Sequence, residues 1–556
     1  MSQKFKSSTI RFARMLLTPR VAFVVSLIVV LSVLSIRVTE LYYTYDTSHD
    51  TSAYNSDDAA QSNILYDWQH GDIDKAVTGT DSWFLKFPLY AITNNIPISP
   101  INRMLLNALS VTMIASLLLF AAYAFFARMV IHDNSAILSV CLYCISFAMS
   151  ALPGIAFGIL KSPNSRNIEL GIAIMLLVAI YANEYSNKYF DSNYKLKAFS
   201  VTALATILFA EDPLFVYMFG LPILATCIVY LFLGTKISKI ALPLSISAGG
   251  ILFSVLLSKL VTLILPIAYI KVTTHTTPAE GFSSNFLYLT TYGPNLFGIF
   301  PWNRTVTELS VGLTICYCLL FMVEIFAIFW AFKRAYQSLF YSILIVIIAT
   351  SPLVLLLTTF VDFRDHLISR YMILTVPVLI LGIPIMYSIG ARLRQFTIML
   401  CLTGLLAVTV TLKPIHNLVL ASNSKVDNDF SRLAEYLKPL NVTKGYSQYE
   451  FANITTYMSG QSIKVLPVMC IESKPELKFY HLLVERAPLY KLKSNKSFYI
   501  YYADAQKPCT APGLIDQLGV PNNYLTTFKY KNSSIIIAVY DYDIGKRLKI
   551  LDPTAK

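Results

Sequence analysis

The chain has 556 residues, 55% of them hydrophobic and only 14% charged, with a mean hydropathy of +0.57. A water-soluble globular chain has no use for that much apolar surface, whereas a polytopic membrane protein does. The formal net charge of +13 would suit a nucleic-acid binder. Here, however, the basic residues fall in short loops between apolar runs, as the positive-inside rule expects, and nucleic acid is excluded as a partner.

Lys4, Lys6, Arg11, Arg14 and Arg20 precede an apolar run over 21–36. The run is long for a signal-peptide core and lacks a small-x-small cleavage site. It predicts an uncleaved signal anchor over 1–38 with its N-terminus in the cytoplasm. A polar loop follows over 39–103. Apolar segments over 104–128, 134–152, 168–183, 196–211, 213–233, 240–268, 306–332, 338–360, 370–389 and 395–412 then predict a transmembrane helical bundle over 104–412. With the anchor at 20–38, this makes about eleven helices of ~20 residues each. The loops then expected inside carry Arg128, Lys188, Lys195, Lys197, Lys236, Lys239, Lys333, Arg334, Arg392 and Arg394. Every one of them is basic. An odd number of spans puts the first loop and the tail, 413–556, outside.

The tail loses the long apolar runs. Phe430, Leu433, Ala434 and Leu437 have helical spacing, with Asp427 or Asp429 as N-cap and Pro439 beyond the end. Segments 462–468, 498–502 and 534–540 are rich in β-branched and aromatic residues and predict strands. The alternation predicts a small extracytoplasmic α/β domain. Of eight cysteines, Cys141, Cys144, Cys227, Cys316, Cys318 and Cys401 lie in apolar segments and read as core residues. Cys470 and Cys509 lie in the tail, where an oxidising compartment would let them form its only disulfide.

Chemistry is concentrated in the first loop. Ser56-Asp57-Asp58 places two carboxylates just outside a hydrophobic anchor, and residues 59–68 look like a short amphipathic helix able to lay Ile64, Leu65 and Trp68 on the membrane. The pair reads either as catalytic acids at the water–lipid boundary or as a solvated N-cap. Further on stands Lys86-Phe87-Pro88-Leu89-Tyr90, in which Lys86 taken alone would be a snorkelling lysine. Glu211-Asp212-Pro213-Leu214-Phe215 joins two apolar runs on the outer side, either as a functional acidic turn or as a helix cap with Pro after it. Arg370-Tyr371, with Pro377, opens a late helix, where the arginine reads as a phosphate ligand or an interfacial anchor. Arg166 and Glu169 share the outer face; His275, Arg364, Asp365 and His366 read as polar loop surface.

Taken in order, Asp57, Asp58, Gly71, Lys86, Pro88 and Tyr90 resemble the loop signature of GT-C membrane glycosyltransferases, in the family-39-like and aminoarabinose-transferase-like bacterial branch. There an acidic pair is followed by Gly and then by Lys-x-Pro-x-Tyr. The acidic-Pro-Leu-Phe turn and the Arg-Tyr helix start are similar to that family's as well. Asp58 stands where many relatives have Glu, and Phe87 replaces a common Pro. The resemblance implies a polytopic α-helical enzyme of the bacterial cytoplasmic membrane with an extracytoplasmic tail domain. It implies inverting transfer of a sugar from a polyprenyl-phosphate donor to a hydroxyl of a surface glycan, lipid or protein, within reach of membrane lipid. Asp57 and Asp58 would be catalytic, with Asp57, the first acid of the pair, favoured as base. Lys86, Arg370 and Arg166 would hold the donor phosphate. Glu211, Asp212 and Tyr90 would bind the acceptor or an ion; Asp57, Asp58 and Asp212 are the set that could take a divalent cation. A flippase for lipid-linked sugars and a non-catalytic membrane protein with a binding tail are the rival readings.

Overall fold

A computed structural model of the chain describes residues 56–72, 76–78, 85–131, 167–185, 194–264, 267–269, 338–357, 382–389, 429–471, 476–479, 494–503, 509–530 and 533–548. It also describes scattered positions between 21 and 39 and between 333 and 395. The chain divides into two compact units. One comprises 1–37, 110–259 and 273–413, and the other 38–109, 260–272 and 414–556.

In the first unit, helix α4 (Asn167–Tyr185), α5 (Tyr194–Glu211), α6 (Leu221–Phe232), α7 (Ile237–Leu244), α8 (Gly250–Ile264) and α9 (Leu339–Leu357) are built almost wholly of apolar residues. Helix α3 (Pro100–Val130) starts in the second unit and runs on into the first. Among the described residues, three helices are long and apolar enough to cross a bilayer: Pro100–Val130, Asn167–Tyr185 and Ile237–Leu263. At 1.5 Å per residue the 31 residues of α3 span roughly 46 Å. The last helix is α7 and α8 joined through a π-turn at Ser245–Gly249, two residues after Pro243. Proline removes a ladder hydrogen bond, and the wider turn takes up the resulting irregularity. Gly250 lets this helix approach Phe209 of α5, since a Cβ there would come within 2.9 Å of the ring. Gly220, in the π-turn Val216–Gly220 before α6, meets the same ring at 2.9 Å. Small residues at such crossings permit close helix packing in the absence of a hydrophobic drive between helices. Glu184 of α4 accepts the N–H groups of Leu339 and Phe340, capping α9.

These helices fall on the expected spans 104–128, 168–183, 196–211, 213–233 and 338–360, and α10 (Gly382–Ile389) falls within 370–389. The span expected over 240–268 ends sooner. Its helix stops at Ile264, and Ile267–Tyr269 forms strand β2. The remaining spans, 20–38, 134–152, 306–332 and 395–412, lie outside the described residues apart from scattered positions.

In the second unit, helix α1 (Ser56–Gln69) ends in a turn with Gly71 at φ +76°, where Asp72 N–H closes onto the Asp67 carbonyl at 2.8 Å. Strand β1 (Ala76–Thr78) pairs in parallel with β2, and helix α2 (Phe87–Asn94) precedes α3. The tail contributes α11 (Asp429–Leu437), β3 (Lys444–Ser447), α12 (Tyr449–Met458), β4 (Lys464–Ile471), β5 (Glu476–Phe479), β6 (Ser497–Tyr502), α13 (Ile515–Leu518), β7 (Asn523–Tyr530) and β8 (Ser533–Tyr540). The six strands form one mixed sheet in the order β5-β4-β3-β6-β8-β7. Central β3 is parallel to both β4 and β6, and the outer pairs are antiparallel. The expected helix and three strands correspond to α11, β4, β6 and β8.

Alternation along the strands sorts the sheet into two faces. Phe498, Ile500, Ile535, Ile537 and Val539 pack with Leu433 and Leu437 of α11 and with Phe451 and Ile454 of α12. Ala59 of α1 and Met104, Leu105 and Ala108 of α3 belong to the same core. The other face carries Tyr499, Tyr501 and Tyr540, all buried. The first loop and the tail thus share one hydrophobic interior.

Candidate active site

The acidic pair opens α1: Asp57 and Asp58 are its second and third residues. Their side chains lie outside the described residues. The backbone around them is defined, and a helix N-terminus favours negative charge through its unpaired N–H groups and dipole. Beyond the first turn the helix is enclosed. Ala59, Ala60, Gln61, Ser62, Asn63, Ile64, Leu65 and Asp67 are all buried. This corrects the expected membrane face, because Ile64 and Leu65 are 3% and 0% exposed and point into protein. Trp68 is half-buried and lies against Phe87, ring centroids 5.7 Å apart.

Lys86 stands at the N-cap position of α2, without a side-chain capping bond, followed by Phe87 and Pro88 in its first turn. Proline is tolerated there because the missing N–H would have had no helical partner. The Lys86 side chain is 1% exposed, which rules out snorkelling; a snorkelling lysine keeps its ammonium in water. Tyr90, one turn on, is fully buried and donates its N–H to the Lys86 carbonyl at 3.0 Å. Helix α2 is tied to α1 by a reciprocal pair: Ser62 Oγ donates to Asn94 Oδ1 at 2.5 Å, and Asn94 Nδ2 to the Ser62 carbonyl at 3.0 Å. The motif acids, Lys86 and Tyr90 therefore stand on two helices locked together within one unit.

Three polar groups from the tail reach the same helix. Asn63 Nδ2 donates to the Asn453 carbonyl at 2.7 Å, and Gln461 Nε2 donates to Asn63 Oδ1. Lys464 Nζ donates to Asp67 Oδ1, and stands 3.8 Å from Asp72 and 5.1 Å from the centroid of the Tyr66 ring. Asp67 is completely buried. Tyr457 of α12 is buried beside Ser62 and Arg103, and desolvation pushes its phenol well above the usual range. Sequence reading missed Asp67 and Lys464. An aspartate beside Trp68 within an amphipathic helix was the available signal, and its partner lies 397 residues away.

Glu211 and Asp212 lie in the other unit, at the end of α5. Both are buried, at 0% and 1% exposure. Asp212 Oδ1 accepts the N–H of Leu214 at 2.9 Å, so the capping reading of this turn is realised. Glu169 is fully buried in the first turn of α4. Arg166, Arg370, His275, Arg364, Asp365 and His366 lie outside the described residues. Among the described residues no three His, Cys, Asp or Glu side chains converge as metal ligands; two members of the cation set, Asp57 and Asp58, are not among those with described side chains. Cys470 and Cys509 form a disulfide, Cα atoms 5.8 Å apart.

No protein-family model matches the chain, and no curated protein matches it. Solved structures similar in fold include two of one protein. ArnT from Cupriavidus metallidurans in the apo state gives a TM-score of 0.50 at 9% identity, over 95% of this chain and 98% of that one. ArnT from the same organism bound to undecaprenyl phosphate gives 0.47 at 10% identity, over 92% and 97%. The likeness to the apo structure extends over nearly the whole of both chains, and at this identity it is a likeness of fold. The chain therefore has a GT-C-like fold, that of a polytopic membrane protein, in agreement with what its loop motifs resemble.

Proposed function

We propose that the chain is a membrane glycosyltransferase of the bacterial cytoplasmic membrane. It takes a sugar from a polyprenyl-phosphate donor and passes it to a hydroxyl of a surface glycan, lipid or protein on the extracytoplasmic side. The observation that carries this reading is the union, in one compact unit, of the helix that opens with Asp57-Asp58 and the helix that opens with buried Lys86. Lys86 carries an ammonium on the same pair of helices as the acids, and a cation there suits a donor phosphate through charge-assisted hydrogen bonds. The GT-C-like fold supports the same class.

In this reading Asp57 takes the proton of the acceptor hydroxyl as its oxygen bonds to the anomeric carbon. The bond from that carbon to the phosphate oxygen breaks, and polyprenyl phosphate leaves as an anion without needing a proton. A single displacement of this kind inverts the anomeric centre. Lys86 holds the phosphate, together with Arg370 and Arg166. Asp58 and Tyr90 orient the acceptor, and Glu211 and Asp212 serve there or hold a divalent cation. Helix α1 is enclosed and pinned to α2, so base and phosphate site keep a fixed spacing, as proximity catalysis requires.

The test is Asp57→Asn, Asp58→Asn and the double variant in cells, with surface glycans read by mass spectrometry. General-base help is typically worth 10²–10⁴-fold, so the Asp57 variant should lose nearly all product. An intact product in all three variants would remove the transferase reading.

A further inference from the structure

The tail's contacts with α1 are polar, buried and specific. A domain that merely rested on the first loop would meet it through apolar surface, and such surface is present: Ala59 shares the sheet's core. Added to it is a chain of directed bonds. The Asn453 carbonyl and the Gln461 amide hold the two ends of the Asn63 side chain. Lys464, at the start of β4, bonds both Asp67 Oδ1 and, at 3.2 Å, Gln461 Oε1. Gln461 thereby links the two anchors. Its backbone lies at φ +68°, a conformation that glutamine rarely adopts, so the turn before β4 is shaped to present this amide. Asp67 and Asn63 are one turn apart on α1 and bond to β4, to the turn before it and to α12 of the tail. From Asn63 to Asp58 is five residues, roughly 7.5 Å of helix. A rigid helix held at Asn63 and Asp67 has its N-terminal acids held in both position and rotation.

We propose that Lys464, working with Gln461, is a positioning residue for the acidic motif: the tail domain completes the active site by clamping α1. The proposal rests on the transferase reading for its catalytic consequence, but the clamp itself is a physical claim about α1. Removing Lys464 leaves the Asp67 carboxylate buried without that ammonium, and the helix relaxes toward water to hydrate it. A displacement of about 1 Å at reacting groups can cost on the order of 100-fold in rate.

The experiment uses the full chain in lipid nanodiscs with Lys464→Met, Lys464→Arg and Gln461→Asn. Three readouts are taken: product formed per enzyme molecule, binding of a polyprenyl phosphate, and amide hydrogen exchange by mass spectrometry. Lys464→Met should lower turnover by about 10- to 100-fold, with polyprenyl phosphate binding within twofold of wild type. Exchange over 56–69 should accelerate while β3, β6 and β8 stay protected. Lys464→Arg keeps the charge and should restore both turnover and protection. Gln461→Asn leaves both charges in place and tolerates the positive φ; should Lys464→Met fail to accumulate, this variant should show the same pattern more weakly. Unchanged turnover, unchanged exchange over 56–69, or loss of protection across the whole sheet would each overturn the proposal. A wild-type chain that transfers no sugar would retire the transferase reading alone, and the exchange measurement would still decide the clamp.

Discussion

Lys86 shows how much a single buried charge constrains interpretation. Its side chain is among the largest fully buried ones described, and evolution could have filled the same volume with Met or Leu at lower electrostatic cost. Removing one member of a buried polar interaction leaves the other uncompensated and typically costs about 3–5 kcal/mol. Lys86→Met should therefore lower the melting temperature as well as abolish transfer, whereas Lys86→Arg keeps the charge and should melt closer to wild type, as a thermal melt and a product assay on the same preparation would show. Full transfer by folded Lys86→Met would remove Lys86 from the phosphate site. Asp212 permits a similar separation, because its oxygen caps the turn at Leu214. Asp212→Ala should cost about 1 kcal/mol of stability as a lost cap, whereas Asp212→Asn keeps an acceptor and should melt like wild type. Loss of transfer in Asp212→Asn would then report the negative charge itself. Asp57, Asp58, Lys86 and Tyr90 stand out in the sequence as candidates because their spacing within one loop is a local pattern. Asp67 and Lys464 do not, because their meaning arises only when two segments far apart in sequence meet.

Elements were legible where periodicity was strong. Phe430, Leu433, Ala434 and Leu437 mark α11 by spacing alone and are all buried. Strands β6 and β8 show as aromatic and β-branched runs. Strand β3 does not: Lys-Gly-Tyr-Ser carries no apolar alternation, yet it is the central strand of the sheet. Its place is set by its neighbours. Gly445 lies opposite Phe498, and a Cβ there would come within 2.1 Å of that ring. Gly445→Ala should destabilise the tail by about 1–3 kcal/mol, the usual cost of overpacking, read as a lower melting temperature with the far-ultraviolet spectrum retained. Helix α12 was missed because its β-branched residues weaken the helical signal, while its burial between the sheet and α1 decides its form. The tyrosine face adds a pH dependence. Burial, with the neighbouring Tyr524, pushes Tyr501 up to about 12, and burial raises Tyr499 and Tyr540 as well. Unfolded tyrosines ionise near pH 10, so above that pH the unfolded state binds fewer protons than the folded one. Stability is full below pH 10 and falls as pH rises toward 12. Tyrosinate absorbance in an alkaline titration should lag and then rise cooperatively with unfolding; independent, gradual ionisation would contradict this burial.

At the scale of the whole molecule, membership of the second unit bears on topology. Segments 38–109, 260–272 and 414–556 gather in one compact body, and β1 pairs with β2 across nearly two hundred residues of sequence. Segments of a body that faces water would lie on one side of a membrane, and the number of crossings between them would be even. The hydropathy reading has six spans between the first two segments and four between the last two, and satisfies that parity at both intervals. Parity alone leaves the side open, and the disulfide supplies a handle on it. Cys470 in β4 is bonded to Cys509 just before α13, closing a loop with a sequence separation of 39 residues. A bond of this kind typically contributes about 2–4 kcal/mol and persists in oxidising compartments, whereas the cytosol keeps thiols reduced. Protein extracted from intact cells into an alkylating agent should therefore carry Cys470 and Cys509 unlabelled, and both should label only after reduction. Cys227, buried in α6, should label only on denaturation, with or without reductant, and so serves as the internal control. Labelling of Cys470 and Cys509 without reductant would place the tail in the cytoplasm, and with it the acidic motif, on the side opposite to the acceptors proposed here.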